Sequence, residues 1–191
     1  MKSLDTYFGE ISSTASKIVY TDEMGAEINE SDNYQDIFAR LEDLKKSGGV
    51  LYFIGNGASA SIASHFALDY FKTAQIKTNT FNDMSALTAI GNDISFDDVF
   101  SFPISQLITK NDILCTVSSS GNSPNIIKGI EAALKQEAFV ITLSGMKADN
   151  KSRQKGHINM FFPGMDYGPT ECAHSIMLHY ILDTFVVKYL N

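Results

Sequence analysis

The chain has 191 residues, just above the usual size of one domain, with 44% hydrophobic and 19% charged residues and a net charge of −7. That balance excludes disorder, a collagen-like or disulfide-stapled scaffold, and a nucleic-acid binder, which needs a basic stripe to displace counterions. A charged fraction below the typical value of about 25% leaves surface for something other than water to cover, and a homo-oligomer is the simplest candidate.

The first 48 residues read as helical. Tyr7, Phe8, Ile11, Ala15, Ile18 and Val19 recur at three-to-four spacing, as do Ile37, Phe38, Leu41 and Leu44, with Gly48-Gly49 as the stop. The polar residues 27–33 between them read as a turn. Residues 1–48 are therefore expected to be helices that pack on the domain or on another subunit. The second unit, residues 49–191, has a different grammar. Apolar runs at 50–54, 113–118, 139–143 and 158–162, with a weaker one at 77–81, alternate with helical patterns such as 125–136 and 170–189. Continuous apolar strands separated by helices predict an α/β fold, a doubly wound parallel sheet covered on both faces.

Two further expectations concern the surroundings. MKSLDTYFGE lacks the apolar segment of a signal peptide, and no apolar run approaches the ~20 residues of a membrane span, so a cytoplasmic chain without a membrane partner is expected. Cys115 and Cys172 do not have metal spacing, and both lie in apolar stretches, so buried free thiols are expected.

Ligands of open α/β sheets bind beyond the carboxyl ends of the strands. Two small-residue loops lie there. Residues 55–59, GNGAS, follow the first strand but lack the third Gly of a dinucleotide fingerprint and the Gly-Lys-Ser/Thr of a Walker loop. Residues 118–123, SSSGNS, precede Pro124 at a helix start. Hydroxyls, free backbone N–H groups and the positive end of a helix converge there, which is the chemistry of a phosphate site. With no Lys or Arg in the loop, neutral donors would hold the anion. The bland alternative is a Ser-rich N-cap turn.

His65 and Asp69 are four apart and share one helix face, which suits an ion or an ordinary hydrogen-bonded couple. Glu171, His174 and His179 lie in an otherwise apolar last helix. Eight helical positions rise about 12 Å, too far for Glu171 and His179 to grip one ion from one straight helix. Either Glu171 precedes the regular helix, or the two serve sites shared between chains.

IGNGASA with SHFALD, AIGND at 89–93, SSSGNS, ITLSG and a last helix bearing Glu171 and His179 together resemble the sugar isomerase (SIS) family. Within that family the chain is similar to the phosphoheptose isomerases. The resemblance implies a flavodoxin-like SIS fold and an aldose–ketose isomerase that acts on sedoheptulose 7-phosphate through an enediolate. By position it implies that Asn56, Gly57, Ala58, Ser59, Asn92 and Asp93 line the sugar phosphate, and that Ser118, Ser119, Ser120 and Ser123 hold its phosphate. His65, Asp69, Glu171 and His179 take the positions for zinc, or another divalent cation, and for catalysis. Asp69 is then the base and His179 its acid/base partner. If an ion holds Asp69 firmly, Glu171, which also contacts substrate, becomes the better base. The family is tetrameric, with sites at subunit interfaces. This chain departs from its pattern at Asp69 (usually Glu), Glu171 (usually Gln), Ala58 (usually Gly) and Gly168-Pro169 (usually Asp-Arg). The alternatives are a non-catalytic SIS module that binds a sugar phosphate or a protein, and an isomerase for an amino-sugar or pentose phosphate.

Overall fold

A computed structural model describes residues 2–190; Met1 and Asn191, the outer bounds of the two expected units, lie outside them. The elements are α1 (Leu4–Ser16), β1 (Val19–Asp22), α2 (Glu30–Ser47), β2 (Val50–Gly55), α3 (Ala58–Asp69), β3 (Lys77–Thr80), α4 (Met84–Asp93), α5 (Ser101–Leu107), β4 (Ile113–Ser118), α6 (Pro124–Lys135), β5 (Phe139–Gly145), β6 (Ile158–Phe162) and α7 (Tyr167–Tyr189). A π-helical turn, Tyr70–Ala74, prolongs α3.

Six strands form one sheet in the order β1-β6-β5-β4-β2-β3. The last five are parallel, in the 2-1-3-4-5 order of flavodoxin-like folds once β2 is counted first. Alternation along each strand loads both faces. Leu51, Phe53, Cys115, Val117 and Leu143 join α2, α3 and α7 in one core. Tyr52, Ile54, Leu114 and Val140 join α5 and α6 in the other. That is why the strands read as unbroken apolar runs.

The N-terminal segment is not helical throughout. Ile18 and Val19, read as the end of the first helix, lead into β1, which pairs antiparallel with β6 from Val19↔Phe161 to Asp22↔Ile158. The β-branched and aromatic residues Val19, Tyr20 and Thr21 suit a strand, and they cover an edge of β6 that would otherwise be open. The expected turn at 27–33 is in large part helix. Asn29 accepts a hydrogen bond from the Asp32 N–H at 2.9 Å and so starts α2 within it. Ile37, Phe38, Leu41 and Leu44 then enter the core of the chain itself. Gly48 ends α2 at φ 73°, and its N–H reaches back to the Leu44 and Lys45 carbonyls.

Cys115 is buried, but Cys172 is exposed, because it falls on the outward face of α7 despite its apolar neighbours in sequence; both thiols are free. Among the described residues, no helix is long and apolar enough to cross a membrane.

His174, also on α7, is fully buried beneath the sheet end. Its Nε2 lies 3.4 Å from the Ser144 carbonyl, and its ring meets Phe162 edge-on at 4.7 Å. Burial is the main cause that pushes its pKa down to about 4. The unfolded chain takes up this proton near pH 6.5, the folded chain only near 4. Stability is therefore intact above that window and is lost as pH falls through it, by about 3 kcal/mol in all. Urea melts at pH 7 and pH 4 are expected to show this extra loss in the parent chain and not in His174→Leu.

Candidate active site

The loops after β2 and β4 face each other at the switch point of the sheet, where the strand order reverses and a crevice must open. Asn56, Gly57, Ala58 and Ser59 form one wall of a cleft of about 290 Å³, and Val117, Ser118, Ser119, Ser120 and Ser123 form the other. Tyr167 and Glu171, from the first two turns of α7, complete it.

Local sequence explains the cleft. A Cβ on Gly55 would lie 2.6 Å from the Ser59 backbone, so glycine lets α3 start directly at the strand end. Gly57, the N-cap of α3, has φ 56° and supplies no side-chain cap. Ser123, the N-cap of α6, also leaves its helix uncapped, and Pro124 follows as the first helical residue. Among the described residues, no internal acceptor meets the N–H of Ser120, Ser123 or Asn125, and the buried Ser119 Oγ has no partner. Two uncapped helix N-termini and an orphan hydroxyl thus share one crevice without a cationic side chain. The arrangement suits a multiply charged oxyanion.

The two walls are joined by a pair that the sequence did not disclose. The Asn56 and Asn125 carboxamides each donate to the other at 2.9 Å, and Asn125 also accepts from the Ile126 N–H. The positions are 69 residues apart, and an amide near a helix start carries no signal of such a partner. Asn125→Ala strands a part-buried amide. The expected cost is about 2 kcal/mol, or a melting temperature about 4–8 °C lower by calorimetry, with weaker retention of phosphate.

A second constellation lies further along α3 and α7. The ligand atoms of His65, Asp69 and His179 all fall within 4.8 Å of one another. His65 Nε2 is 3.2 Å from Asp69 Oδ2, and the His65 and His179 rings are 5.5 Å apart. Buried Phe66 sits edge-on to both rings and limits their rotation. Two imidazoles and a carboxylate at this spacing fit a divalent cation, since ligand atoms about 2.0–2.1 Å from a tetrahedral zinc lie roughly 3.3 Å apart.

Glu171 stands outside this trio. α7 is one continuous helix from Tyr167, so the 12 Å separation from His179 anticipated from sequence holds within one chain. Glu171 lines the serine cleft instead, and burial raises its pKa above the usual carboxylate value. Asn92 and Asp93 lie at the exposed end of α4, bonded to each other at 2.9 Å, and do not line the cleft. At Gly168 a Cβ would collide with the Tyr7 hydroxyl, so Gly168-Pro169 lets α1 approach the start of α7 and places no charge there.

The SIS domain signature matches residues 12–145, well over half of the chain. The phosphoheptose isomerase of Helicobacter hepaticus is 36% identical over 146 residues, spanning 72% of this chain and 73% of that protein. The chain belongs to the SIS domain family, in its phosphoheptose isomerase branch. The solved phosphoheptose isomerase of Neisseria gonorrhoeae superposes on this SIS domain with a TM-score of 0.80 at 28% identity, covering 95% of this chain and 97% of that one. That of Francisella tularensis gives 0.81 over 98% and 100%, at 24% identity, and bears on the fold. The residues matched by the signature include β1 and α2.

Proposed function

We propose that the chain interconverts sedoheptulose 7-phosphate and D-glycero-D-manno-heptose 7-phosphate, moving a carbonyl between C1 and C2 through an enediolate. The observation that carries this reading is the cleft that sets an ionisable, partly desolvated Glu171 beside a cation-free serine loop. Ser118, Ser119, Ser120 and Ser123 grip the phosphate, with the N-termini of α3 and α6 pointing at it. Asn56, Gly57, Ala58 and Ser59 close the opposite side. Held at that end, the sugar has its reacting carbons fixed by binding energy remote from them.

Glu171 lifts the proton from one carbon and returns it to the other. Asp69 cannot be both a tight ligand and a free base, so with His65 and His179 it holds an ion, and zinc suits the donor set. That ion supplies positive charge against the oxygen charge that develops as the proton leaves. The 12 Å between Glu171 and His179 is bridged in this reading by a second copy, whose trio meets the Glu171 of the first. Leu68 on α3 and Phe71 on the π-helical turn that prolongs it are 59% and 60% exposed, and Ile176 and Tyr180 on α7 flank the same trio, which supports such an interface. α4 buries none of its residues within one chain, so Asn92 and Asp93 also reach the sugar from a neighbour. A cytoplasmic homotetramer belongs to the same reading.

The cleft addresses the phosphate end, so the length of the sugar rests on the activity of the relatives. Zinc-loaded protein is to be given ketose phosphates of five, six and seven carbons while aldose formation is followed. The seven-carbon substrate is expected to exceed the others in kcat/KM by at least about tenfold. Equal turnover of all three, or none of the seven-carbon sugar, would overturn the assignment.

A further inference from the structure

The serine loop is held from behind by the segment that follows β5, and the centre of that brace is Asn150. Its side chain is fully buried. Nδ2 donates to the Lys147 carbonyl at 2.8 Å, to Ser144 Oγ at 3.2 Å and to the Gly145 carbonyl at 3.4 Å, while Oδ1 accepts from the Arg153 N–H at 3.0 Å. The amide is thereby fixed in one orientation, both hydrogens used and an acceptor engaged.

Against this amide lies Gly121, the fourth residue of the serine loop, at φ 62°. A Cβ at Gly121 would overlap the Asn150 carboxamide, so the loop backbone lies flush on it. The two neighbouring residues extend the contact. The Ser152 N–H donates to the Gly121 carbonyl at 2.9 Å, and the Lys151 N–H donates to Asn122 Oδ1 at 3.1 Å. On its other side Gly121 N–H donates to the Ser118 carbonyl at 3.0 Å and to Ser118 Oγ at 3.2 Å. Gly121 is thus clamped between the residues that precede it and a rigid buttress.

We infer that Asn150 is a positioning residue for the phosphate grip; this rests on the reading of the serine loop as the phosphate site. A loop with a Lys or Arg attracts an anion from many directions. One built from neutral N–H and O–H donors attracts it only where those donors converge, so their directions decide affinity. Asn150 sets them without touching the ligand. Replacing it releases Gly121 and lets the N–H groups of Ser120 and Ser123 drift, while the His65–Asp69–His179 trio on α3 and α7 keeps its place.

The probe is inorganic phosphate, measured as a competitive inhibitor and by direct titration on the full-length protein. Asn150→Ala is expected to weaken phosphate at least about tenfold and to raise KM for the sugar phosphate in parallel, with kcat within about threefold and the metal content of the trio unchanged. Should removal of this buried amide prevent folding, a second variant is required. Asn122→Ala then carries the test from the exposed side, with an expected weakening of about threefold at nearly unchanged melting temperature. Phosphate affinity equal to the parent in a folded Asn150→Ala, or in Asn122→Ala if only that folds, overturns the brace while leaving the phosphate reading intact. If the parent binds no phosphate and Ser119→Ala leaves KM unchanged, the phosphate reading falls and the inference falls with it.

Discussion

His179→Ala is expected to lose its bound cation on dialysis and to lose at least about 100-fold in kcat/KM. The three side chains that could hold a cation come from two helices: His65 and Asp69 from α3, His179 from α7. Without His179 the remaining couple is a single i, i+4 pair, exposed at His65 and partly buried at Asp69, which is weak by itself and does not enclose an ion. Disturbing groups that merely orient a metal ligand already costs about 10–100-fold in metal affinity or activity, so deleting a ligand costs more. The fold should survive, because His179 is exposed and its backbone lies inside a continuous helix. Metal analysis of the dialysed variant, circular dichroism and turnover with added zinc check the three points. A variant that keeps the parent's turnover with no retained metal would show that the trio is an ordinary surface couple.

The elements that position the cleft were legible because each obeys a local rule. VLYFI and ILCTVS are apolar without interruption because both faces of the parallel sheet are covered, and GNG and SSSGNS follow them because a strand must turn sharply into a helix there. The features missed depend on distance. β1 is four residues long, and its stability comes from β6, some 140 residues away, while the preceding helical periodicity runs into it unbroken. α4 gives a weak periodic signal, because only Leu87 and Ile90 lean on the core and none of its residues is fully buried. Asn125 and Asn150 are single amides whose roles arise from partners in other loops. The grouping of His65 and Asp69 was visible in their spacing, and so was the separation of Glu171 from His179. What spacing could not give was that Glu171 falls in the serine cleft, since this needs the start of α7 placed against the end of β4.

Glu171→Gln is expected to lower kcat by about 100- to 10,000-fold, the usual contribution of a positioned proton carrier. The substitution keeps shape and hydrogen-bonding reach, so phosphate affinity in the serine loop should stay near the parent value. In the parent, the rate should fall as the medium is acidified through the pKa of Glu171, because a base must be ionised to accept the proton. Burial raises that pKa, so the fall begins at higher pH than an ordinary glutamate would set. The glutamine variant should lack this limb. Mixing then separates a shared site from a self-contained one. When Glu171→Gln and His179→Ala subunits are dissociated, combined and reassembled, half of the symmetric pairs are hybrids. In each hybrid one site has both defects and the other has neither. If Glu171 of one copy serves the trio of another, about a quarter of the parent's activity should return from two nearly inactive variants. If Glu171 and the trio act within one chain, every site retains one defect and nothing returns. That result would leave the base assignment standing and remove the second copy from the mechanism. A glutamine variant within threefold of the parent would remove the base assignment itself.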